Sequence, residues 1–401
     1  MRRCVGIALG GNSIGAVATG ADILASRSDR MSVPPVLVIA PEMGALVGTQ
    51  AERFATAGVG AVFRDFFGRL GDPVPVVGSD GSARLGADLV AMTIGGVLRR
   101  CAARADLAQL VIAHPSEWGP YEMSILHSAL TCTEAEGVPT SLVSRPAAAV
   151  TAAVAAGSIN PSETALVADI GSDGTEVALV TGGENHAGRL AATSRTNDLS
   201  ATGLDRALAR HVLEQVRGHL PDSDLTNSAN RAIARTVVAA CRRARADLVR
   251  QAATTIDVRL PAHRVPVRVI RAEFESLARE PIYAGLSTIA QVMRQACDKG
   301  IEVAAIVLTG EAAHTPLLTE LISAHWPCRV IIPPCPEWAA ASGAAQIALR
   351  RCPARPSTPL SPSPRPAVRQ APATGERRWT LRWGALQLSA ALVSRAVPGH
   401  G

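Results

Sequence analysis

The chain has 401 residues, 47% hydrophobic and 18% charged, a composition that builds a folded core and excludes an intrinsically disordered protein. Its formal net charge of +6 is unevenly placed: residues 351–401 hold eight Arg and one Glu, so residues 1–350 sum to −1 and carry no whole-surface nucleic-acid footprint. Eight scattered Cys without a Cys-x-x-Cys pair exclude the common zinc and redox motifs and predict a reducing, cytoplasmic compartment.

Residues 5–18 read as strand, Gly-rich turn and strand. Gly10, Gly11, Asn12 and Ser13 form the turn, and backbone N–H groups in such a turn suit phosphate oxygens. The apolar stretch before Gly10 is too short for a signal peptide, and no run reaches the length of a membrane span. Residues 31–40 are expected to form one edge strand that accommodates Pro34 and Pro35. Leu85, Leu89, Met92 and Leu98 give a helix over 85–100, and residues 107–113 a buried strand, with a further helix from Pro120 to about Ala135. His114, Ser116 and Glu117 lie too close on one turn to make a nucleophile–base–acid triad.

Residues 165–181 repeat the first pattern more strongly. Two apolar runs flank Gly171, Ser172, Asp173 and Gly174, with Thr175 beginning the second strand, which reads as a buried hairpin. The glycines of this turn are expected at φ > 0 and in close approach to something. Asp169, ending the first strand, is placed to hold Mg²⁺ through its waters. An ordinary Asp-Gly hairpin is the plainer reading. Two such hairpins imply two similar halves around one nucleotide.

These hairpins resemble those of the DnaK-type heat-shock protein 70 chaperones, of the actin-like ATPase superfamily, which read Asp-Leu-Gly-Thr-Thr-Asn-Ser and Asp-Leu-Gly-Gly-Gly-Thr-Phe-Asp. The resemblance runs through residues 1–350 in the family's order. It implies an α/β fold of two lobes, each a mixed β-sheet flanked by helices, with a nucleotide cleft between them. Lobe I would span 1–160 and lobe II 161–352, followed by a Pro-rich linker (353–376) and a basic, Trp-containing tail (377–401). The implied cofactor is ATP or ADP with Mg²⁺.

Residue by residue, Gly48 to Ala51 resembles the family's Gly-x-x-Ala, and Gly68-Arg69 puts Arg64 where a catalytic Lys meets the γ-phosphate, a solvated helix-face residue being the alternative. With Arg64, the resemblance gives catalytic roles to Asp169 and Glu176. Thr202-Gly203-Leu204-Asp205 is similar to a turn that opens the helix 206–217, and places Gly203 at the nucleotide. Residues 218–235 would belong to a smaller subdomain. The helix 237–251 would border the adenine; its basic run reads most simply as a solvated face, with Arg245 still in reach of the nucleotide by the resemblance and Ala246 in place of the stacking Arg. After a strand beginning near Val303, Gly310 matches the adenosine motif, while Glu311 replaces its second Gly and His314 its Arg. Pro336 to Ala345, with Glu337, resembles the closing Pro-x-Glu-Ala-Val-Ala-x-Gly-Ala-Ala helix.

The departures fall on the carboxylates. Ala8 stands at a metal-associated Asp and Arg145 at a catalytic Glu. Phosphoryl transfer depends on such groups for charge and water placement, so the reading is a weak or inactive ATPase. The resemblance offers no segment for the family's peptide-binding domain, so a general folding chaperone is not expected. The Arg-rich body with a Pro-rich tail is similar to mycobacterial type VII secretion-associated proteins, implying a cytoplasmic accessory or scaffold with a protein partner in the secretion machinery. An active ATP-driven switch and a small-molecule kinase are the alternatives, the latter without a convincing catalytic Asp. The two Trp and three Arg of residues 377–393 suit peripheral contact with an anionic membrane, docking to a partner, or a frayed end.

Overall fold

Two apolar strands, residues 3–9 and 165–170, each lead half of the architecture in this computed structural model. It describes residues 3–352 except 12, 20–29, 103–106, 183–187, 220–227 and 261–262, so Asn12, the linker and the tail lie outside the described residues.

In the first half, β1 (Arg3–Leu9) and β2 (Ile14–Thr19) form a hairpin, extended by β3 (Arg30–Val33). A small sheet of order β5-β4-β6 follows, built from β4 (Leu37–Ala40), β5 (Gly44–Val47) and β6 (Ala61–Phe63), with α1 (Thr49–Thr56) between the last two. After a short ladder, β7 (Val76–Val77) with β8 (Ala83–Arg84), come α2 (Gly86–Ala102), β9 (Leu107–His114), α3 (Pro120–Leu130), β10 (Thr140–Ser144) and α4 (Arg145–Ala155). The main sheet has the order β10-β9-β1-β2-β3.

The second half repeats that plan. Its strands are β11 (Ala165–Ile170), β12 (Thr175–Thr181), β13 (Arg189–Thr196), the hairpin β14 (Ala253–Arg259) with β15 (Arg264–Ile270), β16 (Ala305–Thr309) and β17 (Arg329–Ile331). Its helices are α5 (Ala201–Gln215), α6 (Ser228–Leu248), α7 (Arg271–Asp298), α8 (Pro316–His325) and α9 (Ala339–Arg351). The sheet order is β13-β12-β11-β16-β17. Outward from each leading strand, both sheets place an antiparallel hairpin on one side and two parallel strands on the other. Two mixed sheets flanked by helices are the architecture expected from the sequence.

Each sheet has its own core. Ile7, Leu9 and Ile112 pack with Leu89, Ile94 and Leu98 of α2; Leu166, Ile170 and Leu308 pack with apolar faces of α5, α7 and α8. The helices that leave each sheet then exchange places. α4 follows the first sheet yet buries Ala149, Val150 and Ala153 against Val167 and Val307 of the second. α9 follows the second sheet and buries Ala344, Ile347 and Ala348 against Cys4, Val111 and Ala113 of the first. Small residues allow this crossing. A Cβ on Gly343 would lie 1.7 Å from the Ala148 carbonyl oxygen, and one on Gly6 2.1 Å from the Ala345 nitrogen.

Several expected boundaries shift. The single strand 31–40 is two strands in different sheets, because the prolines interrupt the ladder. Residues 202–205 lie inside α5 rather than in a turn, since Ser200 caps that helix by accepting the Gly203 N–H. α6 starts at Ser228, earlier than the expected 237, and α3 stops at Leu130.

Candidate functional site

The two leading hairpins turn alike. Gly10 N–H donates to Ser13 O at 3.1 Å, and Gly171 N–H to Gly174 O at 2.9 Å. Leu9 pairs with Ile14, and Ile170 with Thr175, just before each turn. That register makes Ala8 and Asp169 equivalent positions. Ala8 pairs with Gly15 and Ala113, and Asp169 with Glu176 and Thr309.

Both turns border one cavity of about 620 Å³, together with the loop after β16, the segment 336–340 and an aromatic wall that includes Phe67, Trp118 and Trp338. Gly171 and Gly174 do not take the positive φ expected of them, while the close approach expected with it is found at Gly174. A Cβ on Gly174 would lie 2.7 Å from Thr196 O, and one on Gly11 2.1 Å from Asp173 Oδ2 of the opposite turn. Positive φ belongs to Gly310 (+89°), whose Cβ would lie 2.3 Å from Ile170 O and 2.6 Å from Asp169 Oδ1.

The floor of the cavity holds an ion pair. Ser144 caps α4, which makes Arg145 its first helical residue, and Arg145 Nη2 donates to Asp169 Oδ2. The two side chains are only 16% and 8% exposed. Burial by itself lowers the Arg145 pKa, but the charges of Asp169, Glu176 and Glu117 outweigh it and hold the guanidinium above its ordinary value. Glu176, buried on β12, accepts the Ser116 N–H on Oε1 at 2.9 Å. Its Oε2 and the Ser116 hydroxyl are buried with no hydrogen-bond partner among the described residues.

These residues do not fit the expected Mg²⁺ site. Asp169 is engaged by a fixed cation, Ala8 brings no oxygen, and no cluster of three His, Cys, Asp or Glu among the described residues could hold a metal. Two further Arg reach the cavity from outside. Arg195 lies 3.5 Å from Glu117 and Arg242 2.8 Å from Glu311.

Of the residues singled out from sequence, Gly10, Gly11, Ser13, Asp169, Gly171, Ser172, Asp173, Gly174, Glu176, Gly310 and Glu337 line the cavity. Others do not. Arg64 is exposed after β6, and its neighbour Asp65 (φ 53°) faces the cavity in its stead. Thr175 is buried and donates to Leu199 O at 2.8 Å. Gly203 sits within α5, whose first N–H groups are spent on the hairpin: Ala201 donates to Gly171 O at 2.8 Å and Thr202 to Ser172 O at 3.1 Å. Arg245 is buried against Asp205 at 2.7 Å instead of reaching the cavity, and His314 is exposed outside it. Asn12 lies outside the described residues.

Asp65, Trp118, Arg195, Arg242 and Trp338 were not singled out. Trp338 follows Glu337 directly and had a local signal; Arg242 was hidden in an Arg-rich chain. Against known proteins, a family model described as "Hsp70 protein" matches residues 142–349, a span that contains Arg145, the second hairpin, Gly310 and Glu337. No curated protein matches the chain.

Proposed function

The chain belongs to the Hsp70 protein family, a family of nucleotide-binding proteins, and on that premise we propose that it binds a nucleotide weakly in the cavity between the two hairpins and hydrolyses it poorly or not at all. The observation that carries this reading is the pairing of Arg145 with Asp169 opposite Ala8. Hydrolysis needs carboxylates that orient water and charge around the phosphates, and this cleft has converted one such position to a guanidinium and another to a methyl group. In this reading the turn residues that line the cavity, apart from the Gly10 and Gly171 N–H groups spent within their turns, would cradle the phosphates.

In this reading Gly10, Gly11, Ser13 and the turn 171–174 face the phosphates, with Gly310 and Glu337 nearer the nucleoside. A protein that binds nucleotide without turning it over acts through partners. The proposed role is that of an accessory or scaffold, with type VII secretion machinery as the candidate partner, which rests on the sequence resemblance, and the cytoplasm as its place, which rests also on the scattered Cys. No helix among the described residues is long and apolar enough to cross a membrane.

The test is a calorimetric titration with ADP and ATP alongside a phosphate-release assay. Binding with phosphate release no faster than in buffer is expected. Sustained turnover that Asp169→Ala abolishes would favour the ATP-driven switch, and phosphate transfer to an added small molecule would favour a kinase.

A further inference from the structure

Asp169, the last residue but one of β11, sits where a nucleotide's metal would be expected, and it is already neutralised. The equivalent position on β1 is Ala8, and the neighbouring acid Glu176 commits one oxygen to the Ser116 N–H. A divalent cation of the Mg²⁺ kind needs carboxylates free to hold it or its waters. A buried guanidinium against Asp169 instead places a competing positive charge at that spot.

We propose that Arg145 is the resident cation of this cleft, and that the cleft takes a nucleoside diphosphate without a divalent metal. The inference rests on the nucleotide reading above and goes beyond it in naming the form of the ligand. Arg suits the role because its charge is permanent and its planar fork carries several donors. One Nη holds Asp169, and the guanidinium borders the cavity beside the turn N–H groups. Bridging a carboxylate and a phosphate oxygen is ordinary chemistry for such a fork.

The other charges sharpen the ligand. Eight acidic side chains line the cavity against three Arg, and the two more exposed Arg are paired with Glu117 and Glu311. The field beyond Arg145 is therefore negative. A metal-free triphosphate is repelled more strongly than a diphosphate, so ADP is favoured over ATP.

The experiment titrates an N-methylanthraniloyl-ADP probe into the full chain, once with MgCl₂ in excess and once with EDTA. The expected Kd differs by less than about threefold between the two. Electron paramagnetic resonance with Mn²⁺ alone should show no protein-bound ion. Arg145→Glu should bind Mn²⁺ and make ADP affinity depend on metal by about tenfold or more. Arg145→Lys, which keeps a cation, should stay metal-independent and serves if the Glu variant does not fold. Wild-type protein that binds Mn²⁺ alone, or ADP only with Mg²⁺, overturns the inference and leaves the nucleotide reading standing. ADP bound under neither condition overturns both.

Discussion

Arg245 of α6 closes a two-pronged ion pair on Asp205 of α5, with Nε to Oδ1 at 2.7 Å and Nη2 to Oδ2 at 3.5 Å, both side chains less than a tenth exposed. Nη1 also donates to Glu311 O at 3.0 Å, which ties this buried pair to the loop bordering the cavity. Removing one partner strands a buried charge. Asp205→Ala is expected to cost about 3–5 kcal/mol in urea unfolding. The paired replacement Asp205→Leu with Arg245→Met should recover most of that. A double variant as unstable as the single one would mean that the Arg245–Glu311 contact, and not the pair, carries the stability.

The crossing of α4 and α9 makes a second prediction. Gly343 has no room for a methyl group, because the obstacle is the Ala148 backbone and cannot swing aside. Gly343→Ala should lose at least about 1–3 kcal/mol. Gly218→Ala, where nothing lies within 4 Å, should be near neutral. Thermal melts of the two variants side by side give the comparison.

The sequence showed the strand–turn–strand units because they are local: apolar runs of strand length interrupted by Gly leave a pattern within a few residues. The equivalence of the two sheets was legible for the same reason, as a repeat of that unit. Arg245 was not, because the choice between cavity and interior depended on Asp205, forty residues away and brought close only by the packing of α5 on α6. Arg64 failed differently. One residue of offset after β6 decides which side chain faces the cavity, and the structure presents Asp65. Arg145 was recognised as a substitution, but the sequence recorded only the lost acid. Its partner became visible when β11 and the start of α4 were brought together.

Gly310 combines left-handed backbone with a crowded neighbour, and the two penalties are separable. Gly300 has a similar φ of +64° but no atom within 4 Å of where a Cβ would sit, so Gly300→Ala reports the backbone strain alone, about 1–2 kcal/mol. Gly310→Ala adds the clash with Ile170 O and Asp169 Oδ1 and should be more destabilising by a further ~1–3 kcal/mol. It should also weaken ADP binding, measured by the same titration, while Gly300→Ala should not. Equal affinity in the two variants would place the nucleotide away from this loop.

His114 gives the pH dependence its sign. The ring is buried and stacked on Trp118, with centroids 5.8 Å apart and planes 4° from parallel. Its Nδ1 lies 2.8 Å from Pro115 O, so Nδ1–H is the donor in the neutral form. Burial lowers its pKa below the ordinary 6.5, against smaller upward pulls from that carbonyl and from Glu176. The unfolded chain therefore binds the proton more readily than the folded one. The contribution of His114 is fully present above about pH 6.5 and is lost as pH falls from there through the folded-state value. Melting temperatures recorded between about pH 7.5 and pH 5 should decline more steeply for the wild type than for His114→Asn, which has no proton to take up. Parallel curves would mean that the imidazole is as accessible to protons in the folded protein as in the unfolded chain.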